Sequence, residues 1–149
     1  MIFFLKEPLD NLLDLQREYQ RFVQKMAKNN QLTIAEWQLL QRIADGKNSQ
    51  ELLAEDLRLD TSTLSRQLSK LTTKAFVKIS KVANQNNVKT RKSYQYHLSE
   101  ISQRVLSQMN TDCKEFGQKV FAQWTGEEKN FFKILINRTT QGMRQVTLN

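Results

Sequence analysis

Asp60-Thr61-Ser62-Thr63-Leu64-Ser65-Arg66-Gln67-Leu68-Ser69-Lys70-Leu71-Thr72-Thr73-Lys74 is the stretch on which the fold turns. Leu64, Leu68 and Leu71 fall at i, i+4 and i+7, the repeat of a helix with one apolar face. Asp60 stands where a carboxylate can accept from the first free N–H groups, so a helix is expected from there to about Lys74. The other face carries Ser62, Thr63, Arg66, Gln67 and Lys70, and no carboxylate follows Asp60. These side-chain types bond base edges in a DNA major groove: Arg pairs with guanine, Gln with adenine, and Ser or Thr with either. The N-terminal part of such a helix enters the groove, which adds Thr61 to the candidates. The alternative for this stretch alone is a Ser/Thr-rich surface helix.

The flanking segments decide between the two. Upstream, Ser49 can cap a short helix carrying Leu52, Leu53 and Leu57, and Arg58-Leu59-Asp60 joins it to the first stretch as a helix-turn-helix. Before that, Thr33 and Glu36 form a capping box ahead of Trp37, Leu40, Ile43 and Ala44, and Asp45-Gly46 ends that helix. A first amphipathic helix is expected from about Glu7 to Lys28, with Pro8 in its first turn and Asn29-Asn30-Gln31 as its break.

Downstream, Phe76–Val82 and Ser93–Leu98 read as strands, and the basic segment Ala83–Lys92 between them as the tip of a wing. Ser99 then caps a long helix. Ile101, Val105, Met109, Cys113, Phe116, Val120 and Trp124 are expected to hold one of its faces for about seven turns. Thr125 and Glu128 open a last helix lined by Phe131, Phe132, Leu135, Ile136 and Met143. The expected fold is mainly α with a small β-hairpin wing: a winged helix-turn-helix lobe over 31–98, with dimerisation helices over 1–30 and 99–149. Both terminal helical segments outreach a small winged core, so a homodimer is expected to cover their apolar stripes.

Charge supports this layout. The chain has 149 residues and a net charge of +8. From Arg58 to Arg104 there are 10 basic residues against Asp60 and Glu100, so the whole excess lies in the middle third. The 4 glycines and 1 proline suit long helices better than a strand-rich fold. With one cysteine and one histidine, Cys113 and His97, neither a disulfide nor a structural zinc site fits, and a cytoplasmic setting is expected. No stretch of ~20 apolar residues suggests a membrane span. Phosphate-loop, dinucleotide and nucleophile-elbow glycine patterns are all absent, so no enzyme and no cofactor is expected.

The order of elements, with Leu32-Thr33-Ile34-Ala35-Glu36-Trp37, Leu53-Ala54-Glu55-Asp56-Leu57, Asp60–Arg66 and Leu98-Ser99-Glu100, resembles the MarR family of bacterial winged-helix regulators. The resemblance covers essentially the whole chain. It implies a dimer on a pseudo-palindromic operator in double-stranded DNA, most often a repressor released by a small ligand. It also implies a minor-groove role for Arg91. The family's wing usually carries Asp-Arg-Arg, and Thr90-Arg91-Lys92 stands there, so a less firmly held wing tip is expected. Ala75 replaces the glycine that often follows the recognition helix, which disfavours a left-handed turn at that point.

The resulting site assignments are Ser49, Lys70, Lys74, Lys89 and Lys92 on phosphates, and Ser62, Thr63, Arg66 and Gln67 on bases. The resemblance also implies an effector pocket between lobe and dimer helices, for which Tyr19, Phe22, Trp37, Met109 and Phe116 are candidates. Each fits ordinary core packing as well. Cys113 reads as a small buried hydrophobe rather than a redox sensor. A second function class stays open at this point: an interaction module docking its basic face on an acidic protein.

Overall fold

The computed structural model describes residues 7–82 and 93–148. The elements are α1 (Pro8–Asn29), α2 (Ile34–Ala44), α3 (Gln50–Leu57), α4 (Thr61–Thr73), β1 (Val77–Val82), β2 (Ser93–Leu98), α5 (Glu100–Val120) and α6 (Gly126–Thr147). They form two compact units, residues 1–110 and 111–149, and the division falls within α5.

In the first unit the leucines do what their spacing foretold. Leu64 and Leu71 of α4 are fully buried with Leu39 and Leu40 of α2, Leu53 of α3 and Met109 of α5. Each fully buried side chain of this size contributes ~1.5–3 kcal/mol relative to an exposed one. The Thr33–Glu36 capping box is present in both directions at 3.1 Å, and Ser49 and Asp60 cap α3 and α4. β1 and β2 pair antiparallel from Val77↔Leu98 to Val82↔Ser93. Among the described residues here, Phe76, Val77 and Tyr96 are buried, whereas Ile79 and Tyr94 are exposed. The Tyr96 N–H donates to the Asn48 carbonyl at 2.8 Å, tying β2 to the loop before α3.

The helix ends depart from expectation at one point. Ala75 adopts φ +62°, so α4 does end on a left-handed residue although no glycine is there. Ala75 N–H donates to the Thr72 carbonyl and Phe76 N–H to the Leu71 carbonyl, the paired bonds of a Schellman turn. The apolar partners Phe76 and Leu71 are both buried, and that burial outweighs the cost of a Cβ in this conformation. Gln31 at φ 60° and Gly46 at φ 95° end α1 and α2 with the same paired bonds, while Arg58 at φ 54° ends α3 with both its own N–H and that of Leu59 on the Ala54 carbonyl.

α5 corrects a second expectation. It stops at Val120, so Trp124 lies in the following turn and not on the helical stripe. Thr125 must be extended, at φ −72° and ψ 163°, to cap α6, and the helix has to break before it. Trp124 instead packs edge-on against Phe121 and Phe132, with ring centres 4.8 and 5.2 Å away. The buried side of α5 is Ser102, Leu106 and Met109; Ile101 is exposed and Val105 half-buried. Ser102 turns inward because its hydroxyl donates to the Phe76 carbonyl at 2.7 Å.

Candidate nucleic-acid interface

On α4, Arg66 lies opposite the leucine ridge, with Ser62, Ser69, Lys70 and Thr73 within about 60° of it at about 3.6 residues per turn. All five are exposed. Neither Arg66 nor Lys70 forms an ion pair with a described residue, and both are exposed; the Arg66 charge reaches Asp60 only as a minor Coulombic contribution. Thr63 and Gln67 stand on one shoulder and are half-buried, with the Gln67 Oε1 enclosed and lacking a hydrogen-bond partner.

Asp60 organises the N-terminal end of this face. Its Oδ1 accepts from the Thr63 N–H at 2.7 Å and from the Ser62 hydroxyl at 2.8 Å. Those bonds, led by the Thr63 backbone N–H, hold its pKa down at about 2, well below the usual 3.8. Ser62 therefore spends its one proton on Asp60 and offers only lone pairs outward. Ser49, at the start of α3, accepts from the Leu52 N–H at 3.2 Å, which leaves its own proton to donate. Gln50 Nε2 reaches the Thr61 carbonyl at 3.4 Å and bridges the two helices of the turn.

Lys74, expected on a phosphate, is paired within the first unit. Its ammonium donates to Glu36 at 2.9 and 3.2 Å and to the Gln31 carbonyl at 3.3 Å. Lys89, Arg91, Lys92 and Thr90 lie outside the described residues. Ser65 and Ser69 were not among the base-reading candidates, yet both are exposed on α4; extending the 3.6-residue period over the hydroxyls would have found them. Arg58, Lys78 and Lys81 are also exposed in this unit.

The effector candidates are scattered in exposure. Trp37 and Met109 are closed into the first unit's core, Phe22 is half-buried and Tyr19 is exposed. Phe116 belongs to the second unit and is 39% exposed. That unit carries an open cavity of about 440 Å³, lined by Phe121, Phe132, Ile136 and the lysines 129 and 133, and none of the candidates lines it. Burial, then the neighbouring Asp112 charge, pushes the Cys113 thiol up, against the low pKa a redox sensor needs. His97 is exposed, with Nε2 2.9 Å from the Ser80 hydroxyl across the hairpin, and among the described residues no nucleophile–base–acid arrangement forms around it. Among the described residues there is no cluster of metal-ligating side chains and no helix long and apolar enough to cross a membrane.

A helix-turn-helix followed by a two-stranded wing, between long terminal helices, defines the winged-helix class. Within that class the chain has the MarR-type fold. Staphylococcus aureus MarR, in complex with salicylate and kanamycin, superposes with a TM-score of 0.77 at 11% identity, covering 92% of this chain and 90% of that one. A MarR family protein from Bacillus stearothermophilus gives 0.76 at 16% identity, covering 91% and 93%. The S. aureus MepR–DNA complex gives 0.68 at 14% identity, covering 92% and 96%. No family sequence model and no curated protein matches the chain.

Proposed function

We propose that the chain is a homodimeric, sequence-specific DNA-binding transcriptional regulator that represses from a pseudo-palindromic operator and is released by a small ligand. The observation that carries this reading is the face of α4. Arg66 is exposed, without an ion-pair partner among the described residues and opposite a buried leucine ridge, among short hydroxyls and Lys70, on the second helix of a helix-turn-helix. That helix is the one such motifs lay in the major groove, with Arg66 positioned to bond guanine. Ser62 and Thr63 meet base edges near the helix start, and Gln67 reads from the shoulder. Ser49 and Lys70 hold phosphates, joined by Lys89 and Lys92 of the wing, while Arg91 enters the minor groove. The likeness to the MepR–DNA complex supports the DNA partner, and that to MarR bound to salicylate supports a small effector.

The dimer follows from the terminal helices. Leu9, Leu13 and Tyr19 of α1, and Phe131, Leu135 and Met143 of α6, are exposed in the single chain, and no residue of α6 is buried. A second copy removes these apolar surfaces from water. Selection of bound duplexes from a random pool at ~150 mM salt tests the reading, because nonspecific charge binding is then suppressed. Two related half-sites about one helical turn apart are expected. A pool that stays random would overturn the regulator in favour of a basic face docking an acidic protein.

A further inference from the structure

We propose that Lys74 and Glu36 are a positioning pair that sets the placement of α4, so that Lys74 acts on DNA through this pair and not by touching a phosphate. The proposal rests on the DNA-binding reading above. An ammonium has three protons to donate. Those of Lys74 meet Glu36 Oε2 at 2.9 Å, Glu36 Oε1 at 3.2 Å and the Gln31 carbonyl at 3.3 Å. The three residues belong to three helix ends: Gln31 is the left-handed residue that closes α1, Glu36 lies in the first turn of α2, and Lys74 caps the C-terminus of α4.

Glu36 is only 5% exposed, and its Oε1 also accepts from the Thr33 N–H at 3.1 Å. One carboxylate thus caps α2 and anchors α4. A phosphate drawing Lys74 away would leave that buried carboxylate without its cation, which is costly in a low-dielectric site. The ammonium is therefore held where it is. Its consequence lies along the helix: Arg66 sits two turns before Lys74 on α4, about 12 Å away at about 1.5 Å rise per residue. A small tilt at the C-terminal anchor moves the guanidinium sideways, and bidentate base contacts tolerate little displacement.

The test compares the full-length protein with K74M, E36Q and the exchange E36K/K74E, on the selected operator and on a random duplex across a salt series. Gln retains the capping oxygen on Thr33, so E36Q keeps the α2 cap while removing the charge and the 2.9 Å acceptor of Lys74. Both single variants should lose about tenfold or more on the operator and about twofold or less on random DNA, with the salt slope of the operator complex unchanged. The exchange should recover part of the loss. Loss on both duplexes alike with K74M, with a slope lower by about one phosphate, would identify a phosphate contact and overturn the pair. So would operator binding that neither single variant alters. If K74M does not fold by circular dichroism, E36Q decides, since a phosphate-contact role for Lys74 predicts no loss from it. Failure of the unaltered protein to prefer operator over random DNA would refute the DNA reading itself, before any variant is compared.

Discussion

Phe76 donates its backbone N–H to the carbonyl of Leu71 at 2.9 Å, closing the end of α4 over Ala75, which is held at φ +62°. A Cβ in the left-handed region costs ~1–2 kcal/mol, and here the turn that closes α4 with Phe76 and Leu71 both buried imposes it. Ala75→Gly should therefore stabilise the protein by about 1 kcal/mol, net of glycine's greater freedom in the unfolded chain. Urea unfolding measures this directly. A lower midpoint for the glycine variant would contradict the turn.

Arg66 faces outward opposite the leucine ridge, so its removal should leave folding intact. Arg66→Ala is expected to cost ~1–3 kcal/mol on the operator and to relax preference at a single base-pair position in each half-site. Equal losses on operator and random DNA, measured by fluorescence anisotropy, would count against a base contact.

Three capping carboxylates, Asp60, Glu36 and Glu128, have lowered pKa values and make the acid limb of stability predictable. Asp60 is held down at about 2 by the Thr63 and Ser62 bonds. For Glu36, burial raises the pKa, but the Lys74 bond and the Thr33 N–H outweigh it and the net direction is down. A depressed folded-state pKa means stability that is present above the unfolded value and lost as pH falls through the folded one. Stability should therefore fall as pH drops below the ordinary carboxylate range of about 4. Asp60→Asn keeps a capping acceptor and removes the titration, so its stability–pH curve should be flatter between about pH 4 and pH 2. An unchanged slope in thermal melts across that range would be the contrary result.

The exposed stripe of α6 should be what a second copy covers. Sedimentation at micromolar concentration is expected to show a species of twice the 17.5 kDa chain mass. Substituting lysine at Phe131 and Leu135 together should yield a monomer with unchanged helix content, because both side chains are exposed in the single chain. An unaltered protein that sediments as a single chain would refute the dimer.

Cys113 is half-buried, and its thiol is pushed up by burial and by Asp112. Alkylation of the folded protein near pH 7 should be slower than that of the urea-unfolded chain, and should accelerate as pH rises past the ordinary thiol range. Faster labelling of the native state would reopen a redox role for this residue.

Local signals along the chain mark the helices, their N-caps and the outward face of α4. Helical periodicity and capping boxes act over three or four residues, so Leu64, Leu68 and Leu71, Thr33 with Glu36, and Thr125 with Glu128 could be read directly. Arg66 could be placed for the same reason. Tertiary structure decided what depends on partners far along the chain. The half-burial of Gln67, the inward turn of Ser102 toward Phe76, and the left-handed Ala75 depend on what packs beside each residue. The end of α5 at Val120 belongs with these, since Trp124 continues the apolar period but closes on Phe121 and Phe132 instead. Lys74 shows the division most clearly: its sequence neighbours mark it as one more cation of a basic helix. Its carboxylate is 38 residues away, and only the packing of α4 beside the start of α2 brings the two charges together.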